Sequence, residues 1–298
     1  MKEEFYSETF SFFLDAKDGT YFFVQMGVSN IGPGDKKGLC ALLIVKPNTK
    51  AIYHSQILDE DEWLYRAGRI TELFQVNACQ LKRNLNQNKI KFTTKYDGMR
   101  YELVFDEEIK KQKIPHELFH NINNNYRSEI LIAKSNGILK IRKGGSVENI
   151  KGMGYMDHTI TVALPQDIAR KWIRFRSINQ TNPIVMLAHL PSDKNLSSKA
   201  FMWRNTMHHY NEISSFIDKT QSRNDKIFGN VNWTFHINRF SVMPGNLLYR
   251  NAPLENSGWI GRLIAPITGN PVTWIYRAIL QIDNGESING ILEVSMVE

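Results

Sequence analysis

Gly152-Met153-Gly154-Tyr155-Met156-Asp157-His158-Thr159-Ile160-Thr161 places an acid, an imidazole and a phenol on a segment with the alternation of a strand. Successive side chains of a strand point to opposite faces. Tyr155, Asp157 and Thr159 therefore share one face, and Met156, His158 and Ile160 share the other. A carboxylate beside a phenol on an inward face costs free energy unless it is hydrogen-bonded or used. Asp157 is the first residue to question, and without a bulge it cannot line the same cavity as His158.

The same period of two runs outward in both directions. Residues 5–14 alternate apolar and polar, Asp15 to Gly19 reads as a turn, and 20–28 returns as a second strand. Strand patterns follow at 39–45, 51–58, 78–81, 90–96 and 99–105, punctuated by Asn48, Asn86-Gln87-Asn88 and Asp97-Gly98. Patterns at 129–133 and 138–142 flank Asn136-Gly137, which predicts a two-residue hairpin turn. Beyond the motif, 171–178, 184–190, 198–207, 209–217, 232–237, 246–250, 259–267, 272–282 and 291–297 repeat it. Residues 60–74 alone are expected to carry a short helix. Many strands with short turns predict an all-β chain of antiparallel barrels or sandwiches. The strands outnumber the needs of one small barrel, so two units are expected, 1–164 including the motif and 165–298.

A chain of 298 residues with 42% hydrophobic and 22% charged residues can bury a large core, which excludes a disordered protein. No apolar run approaches the roughly 20 residues of a membrane-spanning helix. The start, Met1-Lys2-Glu3-Glu4, is acidic and unlike a secretory signal, so a cytoplasmic location is expected. Cys40 and Cys79 have neither metal-site spacing nor the number for a disulfide framework, and are expected to be reduced core thiols. The net charge of +7 invites a nucleic-acid reading. The basic residues are scattered, though, and no nucleic-acid motif appears, so no such partner is expected. A basic surface does suit peripheral contact with an anionic membrane. Gly32-Pro33-Gly34-Asp35 lacks the Lys-Ser/Thr ending of a phosphate loop and reads as a turn. The oligomeric state is not legible.

Several stretches in order resemble the tandem lipocalin-like superfamily of carotenoid hydratases (hydroxyneurosporene synthases), AttH-like proteins and survival-factor proteins. Phe22-Phe23-Val24-Gln25-Met26-Gly27-Val28-Ser29-Asn30-Ile31-Gly32-Pro33 looks like a strand of its first barrel, and Gly152 to His158 is similar to its Gly-x-Gly-Tyr-x-Asp-His signature. Lys171-Trp172-Ile173-Arg174-Phe175, Ile184 to Leu190, and the closing Gly290-Ile291-Leu292-Glu293-Val294 extend the likeness. The resemblance implies two consecutive lipocalin-like antiparallel barrels with an apolar cavity. It also implies a small hydrophobic ligand and three candidate activities: hydration or cyclisation of an isoprenoid or polyene, pericyclic catalysis, or lipid carriage without chemistry. The chain departs from the hydratases where it carries Ile160 in place of their aromatic. It departs again at Met186-Leu187-Ala188-His189, where they carry Tyr and Asp.

Alkene hydration needs a proton donor, electron-rich walls and a placed water. A buried carboxyl has its pKa raised and can stay protonated. Asp157 fits the donor, His158 an orienting role, and Tyr155 a group that stabilises positive charge. Asp157 equally fits a structural role, hydrogen-bonded in a strand seam that fixes register. Candidate substrate-binding residues are Trp172, Phe175, Met186, His189, Trp203 and Trp233, with core filling as the alternative reading of the aromatic ones. Adjacent strand histidines diverge, so neither His189 nor His208-His209 is expected to hold a metal. No cofactor is expected.

Overall fold

Phe10, Phe12 and Leu14 alternate with Ser11, Phe13 and Asp15 along the first strand, and this alternation defines the inside of a sheet that curls on itself. The computed structural model describes residues 5–30, 36–68, 71–84, 86–87, 89–105, 112–113, 126–178, 183–192, 199–204, 210–218, 235–237, 240–252, 271–283 and 285–297. They fall into two compact units, the first spanning Met1–Ile114 and Asn125–Val162, the second including Ala163–Glu298.

The first unit holds β1 (Ser7–Ala16), β2 (Tyr21–Ser29), β3 (Lys37–Val45), β4 (Ile52–Leu58), β5 (Trp63–Ala67), β6 (Thr71–Val76), β7 (Cys79–Asn84), β8 (Lys89–Tyr96), β9 (Met99–Phe105), β10 (Gln112–Lys113), β11 (Tyr126–Lys143) and β12 (Ser146–Thr161). They form one twelve-stranded antiparallel sheet in the order β4-β3-β2-β1-β12-β11-β9-β8-β7-β6-β5, with β10 beside β11. The motif strand β12 thus lies at the centre, between β1 and β11. Phe12, Phe22 and Phe92 meet in the interior, with Phe12–Phe92 centroids 5.2 Å apart. Each such burial contributes about 1.5–3 kcal/mol. The Asp97-Gly98 turn is made as its residues demand, with φ of 47° and 69° between β8 and β9.

Three expectations are corrected. Asn136-Gly137 does not turn the chain; it lies within the single long strand β11, next to a register shift between Ile132 and Ser135. A Cβ at Gly137 would stand 3.2 Å from the Phe105 ring and closer still to Leu14, so this glycine serves close packing. Residues 60–74 form one 3-10 turn, Glu60–Glu62, and then β5 and β6. Trp63 is already extended at φ −131°, and the β-forming Trp63, Leu64 and Tyr65 pair with β6. Cys40 and Cys79 are not free thiols but a disulfide, with Cα atoms 6.6 Å apart. Both belong to the same interior cluster, where β3 and β7 bring them together.

The second unit opens with a short helix, α1 (Pro165–Ile168). Then come β13 (Lys171–Ser177), β14 (Ile184–Leu190), β15 (Lys199–Arg204), β16 (Tyr210–Asp218), β17 (Phe235–Ile237), β18 (Phe240–Asn251), β19 (Pro271–Ile282) and β20 (Ser287–Val297). These strands close into an antiparallel barrel, β20 returning to pair with β13. Ile173, Phe175, Met186, Leu292 and Val294 fill it. The architecture is all-β and two-barrelled, as expected. Among the described residues no helix is long and apolar enough to cross a membrane.

Candidate functional site

Glu8 follows the inward alternation of β1, two residues before Phe10, and so brings a carboxylate to the end of an otherwise apolar interior. Its Oε1 lies 2.8 Å from Nε2 of His158 on β12. Its Oε2 accepts the hydroxyl of Tyr6 at 2.5 Å. The register of β1 and β12 sets this up by placing Phe10 opposite His158. The two rings stack, with centroids 4.3 Å apart and planes 9° from parallel. On the other side of β12, Glu129 opposes His158 and holds Arg127 at 2.6 Å.

Tyr6, Glu8, Phe10, Trp63, Tyr65 and Phe74 line a cavity of about 330 Å³ at this end of the sheet. That volume falls at the lower end of small-molecule sites. Trp63 and Tyr65 each meet Phe74 edge to face, and the Trp63 indole N–H donates to the Lys36 carbonyl at 2.7 Å. The hydrogen bond from His158 is the largest influence on Glu8; with the bond from Tyr6 and the nearby positive charge it outweighs burial and holds the carboxyl below the usual range. Burial and the neighbouring Glu8 push the Tyr6 hydroxyl up, so it stays protonated and donates. Burial likewise raises Tyr65. The cavity therefore presents a carboxylate, anchored from two sides, to aromatic walls.

The motif residues divide by face as strand alternation requires. Met156 and His158 point into the first unit's interior. Asp157 and Tyr155 point the other way, opposite Ser11 and Phe13 on β1. Asp157 is 3% exposed, and Tyr155 stacks on Phe13 at 5.3 Å. Thr159 on this face bonds Ser128 at 3.0 Å. The structure thus joins His158 to the Glu8 cavity and leaves Asp157 and Tyr155 outside it. Gly154, on the inward side, faces the ring of Phe105, where a Cβ would overlap ring atoms.

In the second unit Phe175 and Met186 oppose each other inside the barrel. Trp172 and His189 oppose each other on the opposite face, edge to face at 5.5 Å. Trp203 is buried opposite Val185 on that face. Arg176, 1% exposed, shares it and binds Glu293 at 3.0 Å. Burial raises the Glu293 carboxyl, but the Arg176 and Arg174 guanidiniums together bring it below the usual range. Trp233, His208, His209 and the stretch 31–35 lie outside the described residues. Among the described residues no three metal-type side chains converge.

The sequence expectations did not include Tyr6, Glu8, Trp63, Tyr65 or Phe74. One signal for Glu8 was available: an acid in phase with Phe10, Phe12 and Leu14 is out of place on an inward face.

Both barrels and the course of the chain match solved structures over nearly the whole length. An AttH-type protein of Nitrosomonas europaea superposes with a TM-score of 0.69 at 11% identity, covering 99% of this chain and 94% of that one. The chain has a tandem lipocalin-like fold. CghA, solved with Sch210972, gives a TM-score of 0.65 at 10% identity over 99% of this chain and 89% of that one. Kievitone hydratase from Nectria haematococca gives 0.64 at 10% identity over 98% and 88%. No family model and no curated protein matches the sequence. At such identities the tandem lipocalin-like relatives share a fold with this chain, and its chemistry has to be argued from its own residues.

Proposed function

We propose that the chain is a cofactor-free enzyme that binds a hydrophobic, alkene-containing small molecule in the Tyr6–Glu8 cavity and moves a proton on it, so as to hydrate or cyclise it. The observation that carries this reading is the Glu8 carboxylate, held charged between the His158 imidazole and the Tyr6 hydroxyl inside aromatic walls. A carboxylate so fixed is a general base in a site of low polarity. Glu8 takes the proton of a water or of a substrate hydroxyl while that oxygen adds to a polarised carbon–carbon double bond. The carbon left electron-rich takes the proton back from Glu8. Water as the nucleophile gives hydration, and an internal hydroxyl gives ring closure. The faces of Trp63 and Tyr65 suit stacking on a flat conjugated substrate. That a hydratase shares the fold supports the reaction class by analogy.

Asp157 as proton donor, with Tyr155 beside it, is the competing assignment, supported by its burial on the other face of β12. Trp172, His189 and Trp203 on one face of the second unit's sheet, and Phe175 and Met186 in its interior, are separate substrate-contact candidates within that unit. Incubation with extracts of apolar metabolites, read by mass spectrometry for products gaining one water or for isobaric ring-closed products, tests both assignments. Glu8→Gln is expected to abolish product and keep substrate binding. Loss in Asp157→Asn with full turnover in Glu8→Gln would move the chemistry to Asp157. Turnover that survives both substitutions would leave a shape-driven pericyclic reaction, and binding without product would leave a carrier.

The compartment follows the cysteines. Disulfides persist in oxidising compartments, so the expected cytoplasmic location requires the Cys40–Cys79 bond to be open in the cell. Alkylation of thiols at lysis, followed by intact mass, decides between the two.

A further inference from the structure

The first unit has a second cavity, of about 370 Å³, at the end of the sheet opposite Glu8, where β1 reaches Ala16 and β11 reaches Lys143. Its floor is apolar: Ile44, Tyr101 and Ile141 are buried there, with Met99 packed against them. Its mouth is basic, formed by Lys46, Lys50 and Lys143 with Glu148 as the acidic member. Glu148 is already engaged, its Oε2 2.7 Å from the Lys46 ammonium. Lys50 and Lys143 are exposed and make no ion pair among the described residues. The mouth therefore carries a net positive charge over an apolar well.

We propose that this cavity binds an amphiphile with a single anionic head and an apolar tail, the head at Lys50 and Lys143 and the tail on Met99, Ile141 and Ile44. Tail burial supplies the affinity, and the lysines supply the selection for an anion over a neutral or cationic head. At roughly 30 Å³ per water-sized group the well holds about a dozen such groups, a tail of medium length. The lysines sit at the rim, where they keep their own hydration and meet a head group without being buried. This site is independent of the Glu8 cavity and of the reaction proposed there.

Calorimetric titration of the full chain with decanoate, decanol and decyltrimethylammonium tests it. Decanoate is expected to bind more tightly than decanol, and decyltrimethylammonium least. The double variant Lys50→Glu/Lys143→Glu is expected to weaken decanoate about tenfold, as befits two exposed charge contacts, and to leave decanol unchanged. Met99→Trp, which fills the well, is expected to weaken both. Equal affinity for decanoate and decanol would overturn the proposal. So would decanoate binding that ignores the lysine variant but is lost in Tyr65→Ala, which would place the ligand in the other cavity. Co-sedimentation with anionic lipid vesicles without binding of free decanoate would assign the lysines to a membrane surface, and would overturn it as well.

Discussion

The imidazole of His158 lies flat against the ring of Phe10 while its Nε2 meets Glu8 at 2.8 Å. Stacking fixes the plane of the imidazole, and the cross-strand register fixes its height, so the bond to Glu8 is set by two neighbours on β1. The hydrogen bond from His158 is the largest influence holding the Glu8 carboxyl down. His158→Leu is therefore expected to raise the Glu8 pKa, because burial is then opposed only by the Tyr6 bond and the Arg127 charge. Carboxyl NMR of Glu8 across a pH titration checks this. A midpoint that stays in place would mean that Tyr6 and Arg127 suffice.

Glu8 and Glu293 are both held below the ordinary carboxylate value of 4.5 in the folded protein. A carboxyl whose folded pKa is depressed gives stability that is fully present above its unfolded value and is lost as pH falls through the folded one. Melting temperature is thus expected to be flat from neutral pH down towards 4.5 on account of these two groups, then to fall on further acidification. In Glu8→Gln/Arg176→Met/Glu293→Met the acid slope should be shallower. A slope equal to that of the unaltered chain would show that other carboxyls govern acid unfolding.

The Cys40–Cys79 bond closes a loop with a sequence separation of 39. Loop entropy predicts that such a bond contributes about 4 kcal/mol. Cys40→Ser/Cys79→Ser is expected to unfold at lower denaturant by that order, and a reductant should lower the midpoint of the unaltered chain but not of the variant. Denaturation curves with and without reductant decide it, and identical curves would count against the bond.

Gly154→Ala pushes a methyl group into the Phe105 ring. Overpacking of this kind costs typically about 1–3 kcal/mol. Phe105→Leu in the same chain should recover part of the loss, because it removes the atoms the methyl group meets. Double-mutant analysis of unfolding gives the coupling, and strict additivity would mean that the clash is relieved elsewhere.

Alternation alone made most strands legible. Phe10, Phe12 and Leu14 turned out inward, and Tyr155 and Asp157 parted from His158, because a period of two is a local property. What failed was non-local. Asn136-Gly137 has the residues of a turn, but Gly137 is there for Leu14 and Phe105, which the local sequence cannot reveal. Glu8 gains its meaning from His158, 150 residues away. The cysteines looked unrelated because their strands meet only after the sheet has curled. The turn at Glu60–Glu62 carries helix-start residues, yet the Trp63–Ala67 pairing with β6 stops it after one turn.

The covalent ring closed by Cys40 and Cys79 contains β4, β5 and β6, and with them Trp63, Tyr65 and Phe74. The aromatic side of the Glu8 cavity is therefore carried on a segment whose two roots are stitched together. The bond thus limits how far that segment could part from β3 and β7. Cutting the stitch would lengthen the free span of that segment, so a molecule bound in the cavity is expected to leave faster from the reduced chain.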